Sequence, residues 1–374
     1  MDKILLFPYW IILKIRHLMF DLGIRKSRRA DVPAICVGNV TVGGTGKTPH
    51  TEMLLRTLLR DSVWKDSNIA VLSRGYKRKS KGFQQVTADG TARDFGDEPL
   101  QIKSKFPQVT VAVDKSRTRG CDFLVHPDKL LTSKKARKCR NKDIPAADLI
   151  ILDDAFQHRS LEPDLSIVLV DYNRPVFNDH LLPIGRLRDL PERIGAADII
   201  IVSKCPSDLN GWQKGMWAEA LGLKDYDHAA CSGTREGGKV QHLFFTTIKY
   251  DTILPVFEEN DNRYLYAKRL ILFSGIANDT PLRNYLSSRY KMVRHFSFPD
   301  HHTFTGADIA EIRSAAEAFP TSVIMTTEKD AQRIRDCRKV NNGLKHRMFY
   351  VPIRTDFISA RESEVFVSLL DSLK

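Results

Sequence analysis

Cysteine is sparse and scattered in this sequence. Six occur in 374 residues: Cys36, Cys121, Cys139, Cys205, Cys231 and Cys337. None form C-x-x-C pairs or cluster with histidine at ligand spacing, which argues against a zinc site. A chain this long does not depend on a disulfide framework, so the thiols read as buried or idle in a reducing compartment. Also lacking is an apolar run long enough to cross a bilayer. The uncharged stretch Ile4 to Leu13 has about half the required length, and it ends at Lys14, with Arg16 close behind. Acids are in the minority, 45 against 58 Lys and Arg, for a net charge of +13. That balance points to a polyanionic partner: nucleic acid, an anionic membrane or a phosphorylated substrate. No nucleic-acid reader motif or aromatic-interleaved basic surface is present, so nucleic acid is not expected. No N-K-x-D guanine motif is present either. Its nearest counterpart, Ser203-Lys204-Cys205-Pro206, lacks the aspartate. No internal repeat is evident, and nothing points to a protein partner.

What is there begins with residues 1–29, rich in large apolar and aromatic residues and then strongly basic. The segment has neither the basic start nor the small-residue cleavage site of a signal peptide. Tyr9 and Trp10 suit a membrane interface, and Arg25, Lys26, Arg28 and Arg29 suit anionic headgroups. Beyond it, short apolar runs alternate with helical patterns. Candidate strands are 34–37, 69–72, 109–113, 149–152, 167–170 and 199–202. Continuous apolar runs of this kind are expected of strands buried on both faces of a parallel sheet. A second block has candidate strands at 270–273, 293–298, 322–325 and 348–351, with helices over 307–319 and from about Arg361. The stretches 243–248 and 252–256 resemble extended connectors. The expected organisation is a membrane-associating segment (1–29), a phosphate-binding α/β domain (30–235), an extended linker (236–260) and a smaller α/β domain (261–374). The run 133–142, SKKARKCRNK, has no apolar periodicity and is expected to be a solvated insertion rather than a binding element.

The strongest local signal is VGGTGKT, Val42 to Thr48. It follows one candidate strand and precedes the helical pattern of Met53, Leu54, Leu58 and Leu59, the context a P-loop requires. Its formal flaw is Thr41 where the strict pattern has glycine. Gly43, Gly44, Thr45 and Gly46 would still offer backbone N–H groups to phosphates. Lys47 would neutralise the β/γ oxygens, and Thr48 would place a hydroxyl on Mg²⁺. A second signal is LIILDDAFQH, Leu149 to His158. Acids ending an apolar strand form a Walker B arrangement, and strand alternation sends Asp153 and Asp154 in opposite directions. FGDEP (95–99) alone is an ordinary acidic turn. FPDHHTF (298–304) could hold a base, a metal site or a helix cap.

Taken together and in order, GNVTVGGTGKTP, LSRGY (72–76), GDEP, DDAFQH, FPDHH and TTEKDA (326–331) resemble the tetraacyldisaccharide 4'-kinase family, the lipid A kinases of Gram-negative bacteria. The resemblance runs to about residue 352, and the family's P-loop is of the T-V-G-G-x-G-K-T kind, which accommodates Thr41. It implies a P-loop NTPase-like, mainly parallel sheet domain with a smaller α/β domain and a membrane-interface helix. It implies transfer of the γ-phosphate of ATP, with Mg²⁺, to the 4'-hydroxyl of a tetraacyldisaccharide 1-phosphate at the cytoplasmic face of the inner membrane. Carried over residue by residue, Asp97 would be the base and His301 its dyad partner, with His302 only a neighbour. Asp97 and His301 lie in different blocks, so domain closure is expected to assemble the pair. Asp153, with Asp154, would serve the metal. Arg74, Gln157 and His158 would face the acceptor or its phosphate. Lys329 and Asp330 would serve the smaller domain's architecture or the nucleotide side. The sequence departs from the family pattern at Ala155, where glycine is common, and over 181–193, where Arg186 stands beside Arg188. The latter departure is expected to bear on acceptor contacts. An alternative reading is a P-loop ATPase switch acting in membrane-associated assembly.

Overall fold

The computed structural model describes residues 2–337 and 339–374, with side chains described from Phe7 onward. Two sheets organise the chain. The larger contains β1 (Ala34–Asn39), β2 (Ile69–Ser73), β3 (Gln84–Gln85), β4 (Thr110–Val113), β5 (Leu149–Asp153), β6 (Leu165–Asp171), β7 (Ile199–Ser203), β8 (Leu223–Asp227), β9 (Ser232–Arg235) and β10 (Val240–Tyr250). Their order is β3-β4-β2-β5-β1-β6-β7-β10-β9-β8. The run from β4 to β10 is parallel throughout. Every residue of β1, β2, β4, β5 and β7 is buried, as apolar runs covered on both faces should be. The smaller sheet has the order β11-β15-β14-β12-β13, built from β11 (Leu254–Pro255), β12 (Arg269–Ser274), β13 (Lys291–Ser297), β14 (Val323–Thr327) and β15 (Met348–Val351).

One face of the larger sheet is covered by the helices Lys47–Arg60, Asp97–Lys105 and Ala360–Asp371, whose Leu54, Leu55, Leu58, Ile102, Phe366 and Leu370 share a core with Ile35, Val37 and Ile151. The opposite face carries two cores. One forms around Phe83, Phe123, Leu130 and Ala136. The other forms around Leu187, Val202, Phe245 and Leu13 of the N-terminal helix, Asp2–Asp21.

The stretch 243–248 is not a connector. It lies inside β10, an 11-residue strand of the larger sheet, with Leu243, Phe244 and Phe245 fully buried. The chain also returns at its end. β16 (Ile353–Phe357) pairs antiparallel with β10, and the final helix packs on the first core. The larger unit thus takes residues from both ends of the sequence, and the smaller sheet is inserted between them.

The two units meet where helix Asp97–Lys105 lies along helix Glu328–Arg335. Ion pairs line this seam: Glu98 to Lys329 at 2.6 Å, Arg333 to Asp97 at 2.6 Å, and Lys105 to both Glu328 (2.8 Å) and Glu52 (2.7 Å). The N-terminal helix docks by one side only. Tyr9 donates to the Arg188 carbonyl at 2.9 Å, and His17 lies 2.6 Å from Asp189. Phe7, Ile12, Ile15 and Leu18 remain exposed on it. Among the described residues, no helix is long and apolar enough to cross a membrane.

Candidate active site

The glycine-rich loop leaves the C-terminal end of β1 and closes into helix Lys47–Arg60. Gly46 takes the left-handed conformation (φ 86°), so the backbone turns into the helix without a Cβ penalty. Thr41 needs no such freedom. It bridges to Leu187, and its hydroxyl accepts from Asn39 Nδ2 at 3.3 Å. Asn39 Nδ2 also donates to Thr45 Oγ1 (2.7 Å), and Ser203 donates to the Thr45 carbonyl (2.9 Å). The loop is therefore tied from β1 and β7 before any phosphate arrives. His50 holds it from below. Its Nδ1 lies 2.7 Å from the Gly46 carbonyl and its Nε2 2.8 Å from the Thr246 hydroxyl, a pattern that suits a neutral ring donating from Nδ1. Burial pushes its pKa down to about 4, consistent with that neutral state.

At the end of β5 the two acids diverge. Asp153 turns into the core and accepts from Ser73 (3.0 Å) and Thr51 (3.4 Å). Burial, with repulsion from Glu98 and Asp154, raises its pKa to about 6. Asp154 turns outward through a left-handed backbone (φ 49°) and pairs with Arg188, with Lys47 Nζ at 3.8 Å. Burial would raise its pKa, but Lys47 and Arg188 hold it below the ordinary carboxylate value. The residue with positive φ is thus Asp154, not Ala155, so alanine carries no backbone strain there. Ala155 is itself buried.

Asp97 opens its helix at the seam, and its Oδ2 lies 3.2 Å from His301 Nδ1. The two are already together here, so no closing movement is needed to join them. Arg333, absent from the motif set, completes the group. Its Nε donates to Asp97 (2.8 Å) and its Nη1 to Asp330 (2.8 Å) and the Gly275 carbonyl (3.1 Å). Arg333 Nη2 also lies 3.2 Å from His301 Nδ1. Two donors cannot bond each other, so a proton on Nδ1 makes both the imidazole and the guanidinium donors to one carboxylate. Burial opposes the charge on Asp97, but His301 and Arg333 outweigh it and hold the pKa below the usual range. The pKa of the next residue, Glu98, is lowered chiefly by Lys329, with a smaller contribution from Lys47, and its helix is tied to the P-loop helix by Gln101, whose Nε2 donates to Glu52 at 2.7 Å. His302 faces away, to Asp308 at 2.9 Å. Lys329 spans the seam to Glu98, while Asp330 stays within the smaller unit and accepts from the Gly275 N–H (2.9 Å), Thr327 (2.6 Å) and Arg333.

The expected acceptor residues differ in what they do. Arg74 is exposed at the end of β2. Gln157 is engaged structurally: its side chain donates to the Asn39 carbonyl, and its own carbonyl accepts from Arg16 of the N-terminal helix at 2.5 Å. His158 is half-buried near Arg117, Arg74 and Arg16. Burial, then those cations, push its pKa down to about 4. Buried Arg117, which sequence reasoning missed, donates to the Asp153 carbonyl at 2.8 Å. The segment 181–193 lies on the P-loop side: Val42 N–H donates to the Arg186 carbonyl (2.7 Å), and Arg188 donates to Asn39 Oδ1 (2.5 Å). Its departure from the family pattern therefore meets the nucleotide side as well.

Oxygen donors suit a hard cation. Asp153 is buried and has no ion-pair partner among the described residues, while Thr48 stands buried on the adjacent helix. No cluster of three His, Cys, Asp or Glu is present among the described residues. Mg²⁺ commonly binds one or two carboxylates and takes its other ligands from phosphate and water, so Asp153 and Thr48 are of the kind that would hold it.

A parallel sheet, a P-loop, an acid-ended neighbouring strand and a carboxylate at its mouth define a P-loop phosphotransferase. The sequence profile of the tetraacyldisaccharide-1-P 4'-kinases matches residues 3–373. The tetraacyldisaccharide 4'-kinase of Phocaeicola vulgatus is 38% identical over 360 residues, covering 95% of this chain and 89% of that one. That of Flavobacterium johnsoniae is 36% identical over 375 residues, covering 99% and 97%. A crystal structure described as the "apo" form of LpxK from Aquifex aeolicus in complex with ATP superposes with a TM-score of 0.67 at 25% identity, covering 98% of this chain and 97% of that one. The chain belongs to the tetraacyldisaccharide 4'-kinase family, whose members are kinases acting on a hydroxyl acceptor.

Proposed function

We propose that this protein transfers the γ-phosphate of ATP to the 4'-hydroxyl of a tetraacyldisaccharide 1-phosphate held in a membrane, with Asp97 as general base. The observation that carries this is the setting of Asp97: His301 and Arg333 both contact its carboxylate, which favours the ionised form, and its helix is tied to the P-loop helix through Gln101 and Glu52. A base must be deprotonated and within hydrogen-bond reach of its proton. Asp97 takes the hydroxyl proton as the sugar oxygen bonds to the γ-phosphorus and the bond to the β,γ-bridging oxygen breaks, releasing ADP. His301 orients Asp97. Lys47 offsets charge on the transferring group, and Gly43, Gly44, Thr45 and Gly46 offer backbone N–H groups to the phosphates. Bound Mg²⁺ would supply further charge neutralisation to the phosphates. Thr48 and Asp153, with Asp154, would hold it. Arg74 and His158 face the acceptor. The exposed apolar side of the N-terminal helix supports contact with a membrane surface, which in this reading is the cytoplasmic face of the inner membrane.

The test is phosphoryl transfer from labelled ATP to tetraacyldisaccharide 1-phosphate in detergent micelles. Asp97→Ala, His301→Ala and Lys47→Ala should each lower turnover, Asp97→Ala by about a hundredfold or more. Full turnover by Asp97→Ala removes the dyad from the chemistry. ATP consumption by the unaltered protein without lipid labelling overturns the kinase reading in favour of an ATPase switch.

A further inference from the structure

The basic run 133–142 is not solitary. Residues 134–136 form a short helical turn, and the residues just after it bond to Gln84. Gln84 Nε2 donates to the carbonyls of Lys81 (2.9 Å) and Lys138 (2.5 Å), and the Arg140 N–H donates back to Gln84 Oε1 (3.2 Å). One buried glutamine thereby staples together two basic loops far apart in sequence. Phe83 and Ala136, both fully buried, anchor the pair in one core. Lys77, Lys79, Lys81, Lys134, Lys135, Arg137, Lys138 and Arg140 all stay exposed. Among the described residues only Arg140 of these has a carboxylate partner, Asp94 at 3.2 Å.

The place of this patch in the fold gives it a direction. β3 pairs with the C-terminal end of β4 (Gln84 opposite Val113), so the patch stands at the sheet edge where the P-loop and both Walker B acids emerge. Tyr76, just before the patch, has its ring 5.5 Å from that of His301. The N-terminal helix reaches the same edge from the other side, through Tyr9 on Arg188 and Arg16 on Gln157. The catalytic mouth therefore lies between an apolar helix face and an unneutralised basic patch. That is the pairing an anionic bilayer surface would engage: apolar groups enter the interface while cations meet headgroups.

We propose that the stapled patch formed by residues 77–81 and 134–140 is a second membrane contact, binding anionic lipid headgroups and turning the catalytic edge toward the bilayer. The inference rests on the membrane-bound acceptor proposed above. The test uses the full chain and vesicles of phosphatidylcholine, alone or mixed with phosphatidylglycerol, in a sedimentation assay. The variant Lys79→Gln, Lys81→Gln, Lys135→Gln, Lys138→Gln alters exposed side chains outside the chemistry. Its partition onto the anionic vesicles should fall at least tenfold, on the scale expected for about four surface cations, and the difference should vanish at high salt. Transfer in neutral detergent micelles should be unchanged, so loss of the kinase reading and loss of the patch reading show in separate assays. Equal anionic-vesicle binding by both proteins overturns the patch. So does binding to duplex DNA that the variant loses while its vesicle binding is intact.

Discussion

At the scale of single residues, function and stability pull apart at Asp153. Its carboxylate is buried, and its pKa is raised to about 6 from 3.8. A raised acid binds its proton more tightly in the folded state, so stability is lost as pH climbs from the unfolded value through about 6. Asp153→Asn should therefore stabilise the ligand-free protein at pH 7.5 by about 1–3 kcal/mol and flatten this pH dependence, as read by thermal melting. The same change should abolish Mg²⁺-dependent stabilisation by ATP. A ligand-free variant that melts lower than the unaltered protein would contradict the assignment of Asp153 as a charge held in readiness for a cation. Arg333 and His50 were not legible in the sequence. Arg333 stands three positions after Asp330, which on a helix puts both on one face, but only the meeting of two units shows that this face looks at Asp97. His50 depends on a hydroxyl 196 positions away.

At the scale of elements, the seam between helices Asp97–Lys105 and Glu328–Arg335 holds the dyad together. Its central cation is Lys105, placed between the buried carboxylates of Glu52 and Glu328. Burial, then the charge of Glu52, raises the pKa of Glu328 to about 7. Removing Lys105 leaves two buried acids uncompensated, so Lys105→Met should destabilise the fold by about 2–4 kcal/mol at neutral pH. The penalty should shrink as pH falls toward about 7, because Glu328, no longer held down by Lys105, takes up its proton above that value in the variant. A pH-independent loss on denaturant titration would show that only packing was removed. The individual strands and helices were legible because apolar runs and 3.6-residue periodicity are local signals. The connector reading of 243–248 failed because a strand buried in the middle of a sheet and an extended link share composition, and only pairing partners separate them.

At the scale of the whole molecule, the N-terminal helix has two unlike sides. Leu13 and His17 are buried against the body, while Ile12, Ile15 and Leu18 are exposed. The variant Ile12→Ser, Ile15→Ser, Leu18→Ser should keep its melting temperature and its micellar turnover. Its activity on substrate embedded in vesicles should fall about tenfold or more, since apolar area drives interfacial binding. Retained activity on vesicles would remove this face from the membrane contact. Burial of the opposite side also couples the helix to the site, because Tyr9 holds the backbone of Arg188, which pairs with Asp154.

The α/β class, the P-loop, the acid-ended strand and the ordered motifs of a kinase family are readable from the amino acids in order. These are written in short stretches whose backbone geometry and hydrogen bonding are local. Long-range packing alone shows that Asp97 and His301 meet beside Arg333, that the last helix returns to the first sheet, and that two basic loops form one patch. Each is a contact between segments tens to hundreds of residues apart. Such contacts are set by which buried faces fit together, and no window of sequence contains both partners.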